Sequence, residues 1–160
     1  MTNKLIQIIS YQPQYKVEVN QLINEIKEEF DLQISNKSYG LKEPDFYCVA
    51  QVEKKIVGTV AINYENGFAV LKRMFVLKEM RGKIIGVSQL LMNKVLKNCI
   101  ENNFDTIYLG TMEEFKAAHK FYEKNNFVKI LKEDLPNEFI NNPIDSVFYR
   151  LRVNKDDIKY

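Results

Sequence analysis

Two stretches of this chain have residue types and spacings suited to chemistry. In the first, an apolar, strand-like run (Phe68-Ala69-Val70-Leu71-Lys72-Arg73-Met74-Phe75-Val76) leads through Lys78-Glu79-Met80 into Arg81-Gly82-Lys83-Ile84-Ile85-Gly86-Val87-Ser88, where a helical pattern begins. A strand that feeds a short, basic, glycine-containing turn and then a helix is a place to hold an anion. Glycine lets the backbone come close to a ligand, and the first helical N–H groups have no partners of their own. The turn is not a Walker sequence, which needs Gly-Lys-Ser/Thr, and its Gly-x-x-x-Gly spacing fails the dinucleotide fingerprint. What remains is a pyrophosphate-sized nest of N–H groups from Gly82 to Val87, with Arg81 and Lys83 beside it. A helix N-terminus contributes only about 0.3–2 kcal/mol, so the loop amides must supply most of the grip.

The second stretch is Phe115-Lys116-Ala117-Ala118-His119-Lys120-Phe121-Tyr122-Glu123-Lys124-Asn125-Asn126-Phe127. Helical spacing puts Phe115, Ala118, His119 and Tyr122 on one stripe. An aromatic on such a stripe is usually core. A residue as small as Ala118, one turn before Tyr122, also leaves room for a ligand chain.

The elements that must position these stretches follow from periodicity. Leu5 to Ser10 reads as a first strand. Val17, Val19, Leu22, Ile23, Ile26 and Phe30 recur at helical spacing after Pro13. The polar, glycine-punctuated segment from Asp31 to Pro44 reads as a loop, with room for one short helix. Strands follow at Phe46–Glu53, Ile56–Tyr64 and Phe68–Leu77, joined at Lys54-Lys55 and at Glu65-Asn66-Gly67. Asn66-Gly67 between apolar runs is a hairpin signal, because both residues tolerate positive φ. Val87, Leu90, Leu91, Val95, Leu96, Cys99 and Ile100 make a broad helical stripe that ends at Glu101-Asn102-Asn103. Then come a strand at Thr106–Leu109, a helix from Glu113 to Lys124, and strands at Phe127–Leu131 and Phe148–Val153. The fold class is therefore α/β with a mixed sheet: an antiparallel meander, then a parallel β-α-β crossover, with helices on both faces.

Composition narrows the function classes. At 160 residues, with no linker or repeat, the chain reads as one domain spanning 1–160. Such a chain buries roughly 70% of its unfolded surface and needs no metal or disulfide to form a core. A net charge of +2 is too small for general nucleic-acid binding. Cys48 and Cys99 provide neither a metal spacing nor a disulfide framework, so they read as buried free thiols in a reducing compartment. No stretch has the length of a membrane span, and the chain reads as cytoplasmic.

Taken together, Leu71–Val76, Arg81–Gly86 and Ala118–Phe127 resemble the GNAT superfamily of N-acetyltransferases. The family pattern is Arg/Gln-x-x-Gly-x-Gly/Ala after the fourth strand, and Ala-x-x-x-Tyr with a trailing Gly-Phe on the last main helix. The resemblance implies acetyl-CoA as co-substrate. It implies that backbone groups of Met74, Phe75 and Val76 pair with the pantetheine arm, and that the turn Arg81, Gly82, Lys83, Ile84, Ile85, Gly86, Val87 and Ser88 holds the pyrophosphate of coenzyme A. Tyr122 occupies the position of the general acid that protonates the departing thiolate. The two parallel strands are implied to splay, with the acetyl group entering the gap. Three residues depart from the pattern: Ile84 stands where a glycine is usual, Phe115 replaces an asparagine, and Asn126 replaces the glycine before Phe127. Asparagine accepts a left-handed conformation, so the last change is mild.

The implied reaction is direct attack of a primary amine on the thioester in a ternary complex. A lysine-like amine must first lose a proton, at roughly 4–5 kcal/mol at pH 7. The strand carboxylate that would relieve this is absent, since Val70 and Lys72 occupy the positions facing the site. His119, Glu28, Glu29, Glu114, Asp145 and a water chain remain as candidate bases, with none singled out by spacing. A lone histidine more often packs than catalyses. The acceptor, a small molecule or a protein amine, is open, and so is the oligomeric state, a homodimer included. The competing reading is a domain that binds acyl-CoA as a sensor or scaffold without transferring the acyl group.

Overall fold

The computed structural model describes residues 5–32, 43–82, 86–140 and 142–159. Its centre is a seven-stranded mixed sheet in the order β1-β2-β3-β4-β5-β7-β6. The strands are β1 (Ile6–Ser10), β2 (Phe46–Val52), β3 (Lys55–Glu65), β4 (Phe68–Val76), β5 (Thr106–Thr111), β6 (Val128–Ile130) and β7 (Val147–Arg152). The helices are α1 (Lys16–Glu29), α2 (Val87–Glu101) and α3 (Lys116–Lys124). The expected antiparallel meander is β1 through β4, and α2 carries the chain from β4 to a parallel β5.

The second half differs from the expected strand-helix-strand series in one respect. β7 inserts antiparallel between β5 and β6, so β5 and β6 are not neighbours. β6 is short and sits at the sheet edge, where only β7 pairs with it.

The core lies where the helical stripes meet the sheet. On α2, Val87, Leu91, Met92, Val95, Leu96 and Cys99 are fully buried, while Ile100, expected on the stripe, is exposed. Each such aliphatic side chain contributes about 1.5–3 kcal/mol on burial. Cys48 and Cys99 are buried free thiols, as expected, and burial pushes them up to about 11 and about 12. Two residues past the end of α2, Asn103 takes the left-handed region (φ 62), a conformation asparagine accepts.

The positive-φ pair expected at Asn66-Gly67 occurs instead at the first hairpin of the meander. The Glu53-Lys54 pair, between Val52 and its partner Lys55, takes positive φ at both residues (50 and 67), the hallmark of a I′ turn. At Asn66-Gly67 only the glycine is positive, at φ 87. Register, closed by the Glu65–Phe68 pair, decides the hairpin there, and Gly67 alone supplies the left-handed residue.

Candidate active site

Strands β4 and β5 pair only at Ala69–Ile107 and Val70–Tyr108, then separate. The chain thus has the splay that the resemblance implied, and a cleft of about 1300 Å³ opens along it. Its walls come from β4 (Val70–Val76), the end of β5 (Gly110, Thr111), α1, α3 and the start of α2.

A bulge shapes the β4 wall. The register steps from Thr59–Phe75 to Ala61–Lys72, leaving Arg73 and Met74 opposite Val60. Arg73 takes φ 53, a left-handed conformation that costs a side-chain-bearing residue about 1–2 kcal/mol. The buried Thr59 hydroxyl holds the bulge by donating to the Arg73 carbonyl at 2.7 Å. Beyond the bulge, the Leu77 N–H bonds the Val57 carbonyl, whereas the Val76 carbonyl accepts from Arg81 Nε at 2.8 Å. Strand alternation therefore directs the backbone groups of Met74 and Val76 away from β3 and toward the gap, and those of Phe75 toward β3.

Helix α2 begins at the far end of this wall. Gly86 precedes it, no side chain caps it, and its first backbone bond is Leu90 N–H to the Gly86 carbonyl. The amides of Val87 and Ser88 are thereby left for a ligand. Gly82 is left-handed at φ 74, with open space around its α-carbon. Gly82, Gly86 and Ser88 border the cleft, and the Val87 side chain points into the core. Lys83, Ile84 and Ile85 lie outside the described residues. Arg81 borders the cleft, but its guanidinium is engaged: it forms a bidentate pair with Glu29 (2.6 and 2.8 Å) and lies 5.7 Å from the Phe30 ring centroid. It clamps the end of α1 to the end of β4.

Helix α3 makes the opposite wall. It starts at Lys116 rather than at the expected Glu113, because Met112–Phe115 forms a turn closed by Phe115 N–H to the Met112 carbonyl. Phe115 therefore precedes the helix, where its ring meets Phe30 edge-on at 4.9 Å and bridges the two sides of the cleft. Ala118 and Tyr122, one turn apart on the stripe, both border the cleft. Tyr122 is 4% exposed, packs against Phe127 and Tyr149, and makes no hydroxyl hydrogen bond among the described residues. Burial, then the negative charge of Asp145, push its pKa well above 10.0. The trailing Asn126 takes φ 71 and donates to Asp157, consistent with its glycine-like place.

Among the candidate bases, only Asp145 borders the cleft. Its Oδ2 lies 2.8 Å from where a β-carbon on Gly110 would stand, so the missing side chain of β5 makes room for the carboxylate. Burial raises its pKa to about 6, and no hydrogen bond or ion pair neutralises it among the described residues. His119 instead donates from Nε2 to the Met112 carbonyl at 2.9 Å, bracing α3 against the end of β5. Glu29 is paired with Arg81, and Glu28 and Glu114 are exposed.

The sequence profile of the Acetyltransferase (GNAT) family matches residues 11–127. The chain belongs to the GNAT acetyltransferase family. Among relatives, it is 33% identical over 124 residues to the N-acetylaspartate synthetase of Xenopus tropicalis, covering 74% of this chain and 45% of that one. The chain thus spans less than half the length of that curated relative. Among solved structures, a GNAT-family acetyltransferase of Staphylococcus aureus Mu50 superposes with a TM-score of 0.84 at 31% identity, over 94% of this chain and 100% of the other. The PaiA N-acetyltransferase of Thermoplasma acidophilum, solved with coenzyme A, shares the GNAT fold at a TM-score of 0.72 and 13% identity, over 92% and 99%.

Some site residues carried little signal in the sequence. The bulge at Arg73 sits inside an uninterrupted strand pattern. Gly58 was detectable: an isolated glycine within a strand marks a close backbone approach. A β-carbon there would stand 3.0 Å from Val87 Cγ1 and 3.1 Å from Leu91 Cδ1, so Gly58 lets the start of α2 press on the sheet.

Proposed function

We propose that this GNAT domain, spanning 1–160, is an N-acetyltransferase that moves the acetyl group of acetyl-CoA to a primary amine by direct attack in a ternary complex. The observation that carries the reading is the pairing of Tyr122 with an unneutralised Asp145 in the cleft between β4 and β5. The turn from Arg81 to Ser88 takes the pyrophosphate, its amides rather than the Arg81 side chain doing the holding. The gap-side backbone of Met74 and Val76 pairs with the pantetheine arm.

In the reaction, the neutral amine nitrogen bonds to the thioester carbonyl carbon and becomes cationic and strongly acidic. Asp145 takes its proton, the C–S bond breaks, and the Tyr122 hydroxyl protonates the departing sulfur. The proton on Asp145 then restores the phenol, leaving an amide and free coenzyme A thiol. The two groups help one another. Carboxylate at Asp145 opposes a phenolate at Tyr122, and that opposition vanishes once Asp145 is protonated. Tyr122 therefore becomes the better acid at the step that needs it.

The name of the frog relative favours a small amine over a protein N-terminus. A reducing cytoplasm suits the two buried thiols. The test is thiol release from acetyl-CoA with a panel of amines. Release that depends on the added amine supports transfer. Coenzyme A binding with no such release would leave the domain a sensor.

A further inference from the structure

We propose that Arg73 holds a carboxylate of the acceptor, so that the acetylated amine belongs to a small molecule bearing both an amino and a carboxylate group. The proposal deepens the transferase reading and rests on it. Its starting observation is a contrast between two arginines on the same cleft. Arg81 is bidentate with Glu29, while Arg73 forms no ion pair among the described residues. A guanidinium is a rigid fork that matches a carboxylate with two parallel hydrogen bonds.

The surroundings of Arg73 are built to present that fork. Its guanidinium carbon lies 5.2 Å from the centroid of the Tyr47 ring, and Tyr47 stacks on Tyr11 at 4.3 Å. Two stacked rings give the cation a firm platform. Below it, the bulge holds Arg73 in a left-handed conformation, fixed by Thr59. A backbone outlier held by a buried hydroxyl, carrying a charged side chain into a cleft, points to function.

Position assigns Arg73 to the acceptor rather than to the pyrophosphate. It stands three residues before Val76, roughly 10 Å along the strand from the α2 end of the cleft. Register pairs its neighbour Lys72 with Ala61, which pairs in turn with Tyr47, and the Tyr47 carbonyl accepts from the N–H of the lining residue Tyr11. Two acids, Glu43 and Asp45, border this region, and neither forms an ion pair with Arg73 among the described residues; Asp45 accepts from the Tyr64 N–H at 2.7 Å. With Asp145 to receive the amine, the cleft presents a negative group and a positive one to a single ligand.

The experiment compares amino acids with their α-amides as acceptors for the full chain, following thiol release at fixed acetyl-CoA. Wild-type protein should prefer carboxylate acceptors by at least fifty-fold in kcat/KM. Arg73→Gln should remove most of that preference through acceptor KM, with the KM for acetyl-CoA changed less than two-fold, and Arg73→Lys should restore part of it. Equal use of acids and amides by wild type overturns the proposal. So does an equal loss on both in Arg73→Gln, which would mark a structural role. A second readout needs no turnover: calorimetry of the coenzyme A-loaded protein with the N-acetyl derivatives of glycine, alanine and aspartate against their amides. Carboxylate preference that depends on Arg73, in a protein that releases no thiol with any amine, would sink transfer yet support the carboxylate site. Absence of that preference sinks the site.

Discussion

In the proposed reading, the β4 side of the cleft meets the cofactor with main chain and uses only the Arg73 side chain, on the acceptor, whereas the α3 and β5 side presents titrating side chains. Along β4 and into α2, the groups for the cofactor are the gap-side backbone of Met74, the Val76 amide and the uncapped amides at the start of α2. Across the gap stand a buried phenol on α3 and a carboxylate packed over Gly110. Substitutions should therefore act differently on the two sides. On the α3 side they should remove chemistry. On the β4 side, Arg73 apart, they should change affinity for the cofactor, and only when they move the backbone.

The largest effect belongs to Tyr122. Tyr122→Phe keeps the ring and its packing but deletes the proton donor, so kcat should fall by about 10²–10³, with the KM for acetyl-CoA nearly unchanged. An unaltered kcat from pH 6 to 9 would take the acid role from Tyr122 and erase the contrast.

Asp145→Asn comes next, with a fall in kcat/KM of about 10². Wild-type activity should be lost as pH falls through about 6, where Asp145 protonates. The variant should lack that limb. Its stability should move the other way. The folded pKa of about 6 exceeds the ordinary 3.8, so between those values the folded chain keeps a proton that the unfolded chain has released. Stability from this group is therefore present at low pH and declines as pH rises from about 4 to about 6. Asn stays neutral, so at pH 7 the variant should be more stable by up to about 3 kcal/mol, and the gain should close by pH 4. Denaturant titrations at the two pH values measure it. A variant that is both inactive and less stable at pH 7 would make Asp145 a structural residue.

The same division explains what was legible beforehand. Among the described residues, periodicity located the strands and α-helices to within a few residues, because side-chain pattern is what those features are made of, and the resemblance carried by Ala118 and Tyr122 put the phenol at the site. Asp145 could be named only as one acid among several. Its distinction comes from Gly110, thirty-five positions away in sequence and across the β5–β7 pairing. The bulge at Arg73 left no trace, since a run of β-forming residues reads the same with or without an extra residue in the ladder. Phe115 was legible as a lost polar contact, but its ring packing on Phe30 depends on where α1 ends.

On the β4 side, Gly58 tests whether geometry governs affinity. Val at this position would place methyls against Val87, Leu91 and the Phe75 carbonyl, where a β-carbon alone already comes within 3.0–3.1 Å. The start of α2 must move outward, at about 1–3 kcal/mol of stability. The KM for acetyl-CoA should rise about ten-fold, converting roughly 1.4 kcal/mol of lost binding, while kcat at saturation should change little. A fall in kcat with unchanged KM would mean that the α2 end shapes the reacting centre rather than the grip on the cofactor.

Ser88→Ala should have the smallest effect. Ser88 borders the cleft on the first turn of α2, and its hydroxyl is the obvious side-chain candidate for a phosphate contact. Its amide, however, survives the substitution, and alanine is the stronger helix former. If main chain holds the pyrophosphate, the KM for acetyl-CoA should shift by less than about two-fold, which is under 0.5 kcal/mol. A ten-fold rise would show that a hydroxyl supplies what the amides were assigned, since a hydrogen bond to a charged group is worth about 1.5–3 kcal/mol. The β4 and α2 wall would then depend on side-chain identity as much as the α3 wall does, and the Gly58 result would have to be read as loss of Ser88 placement.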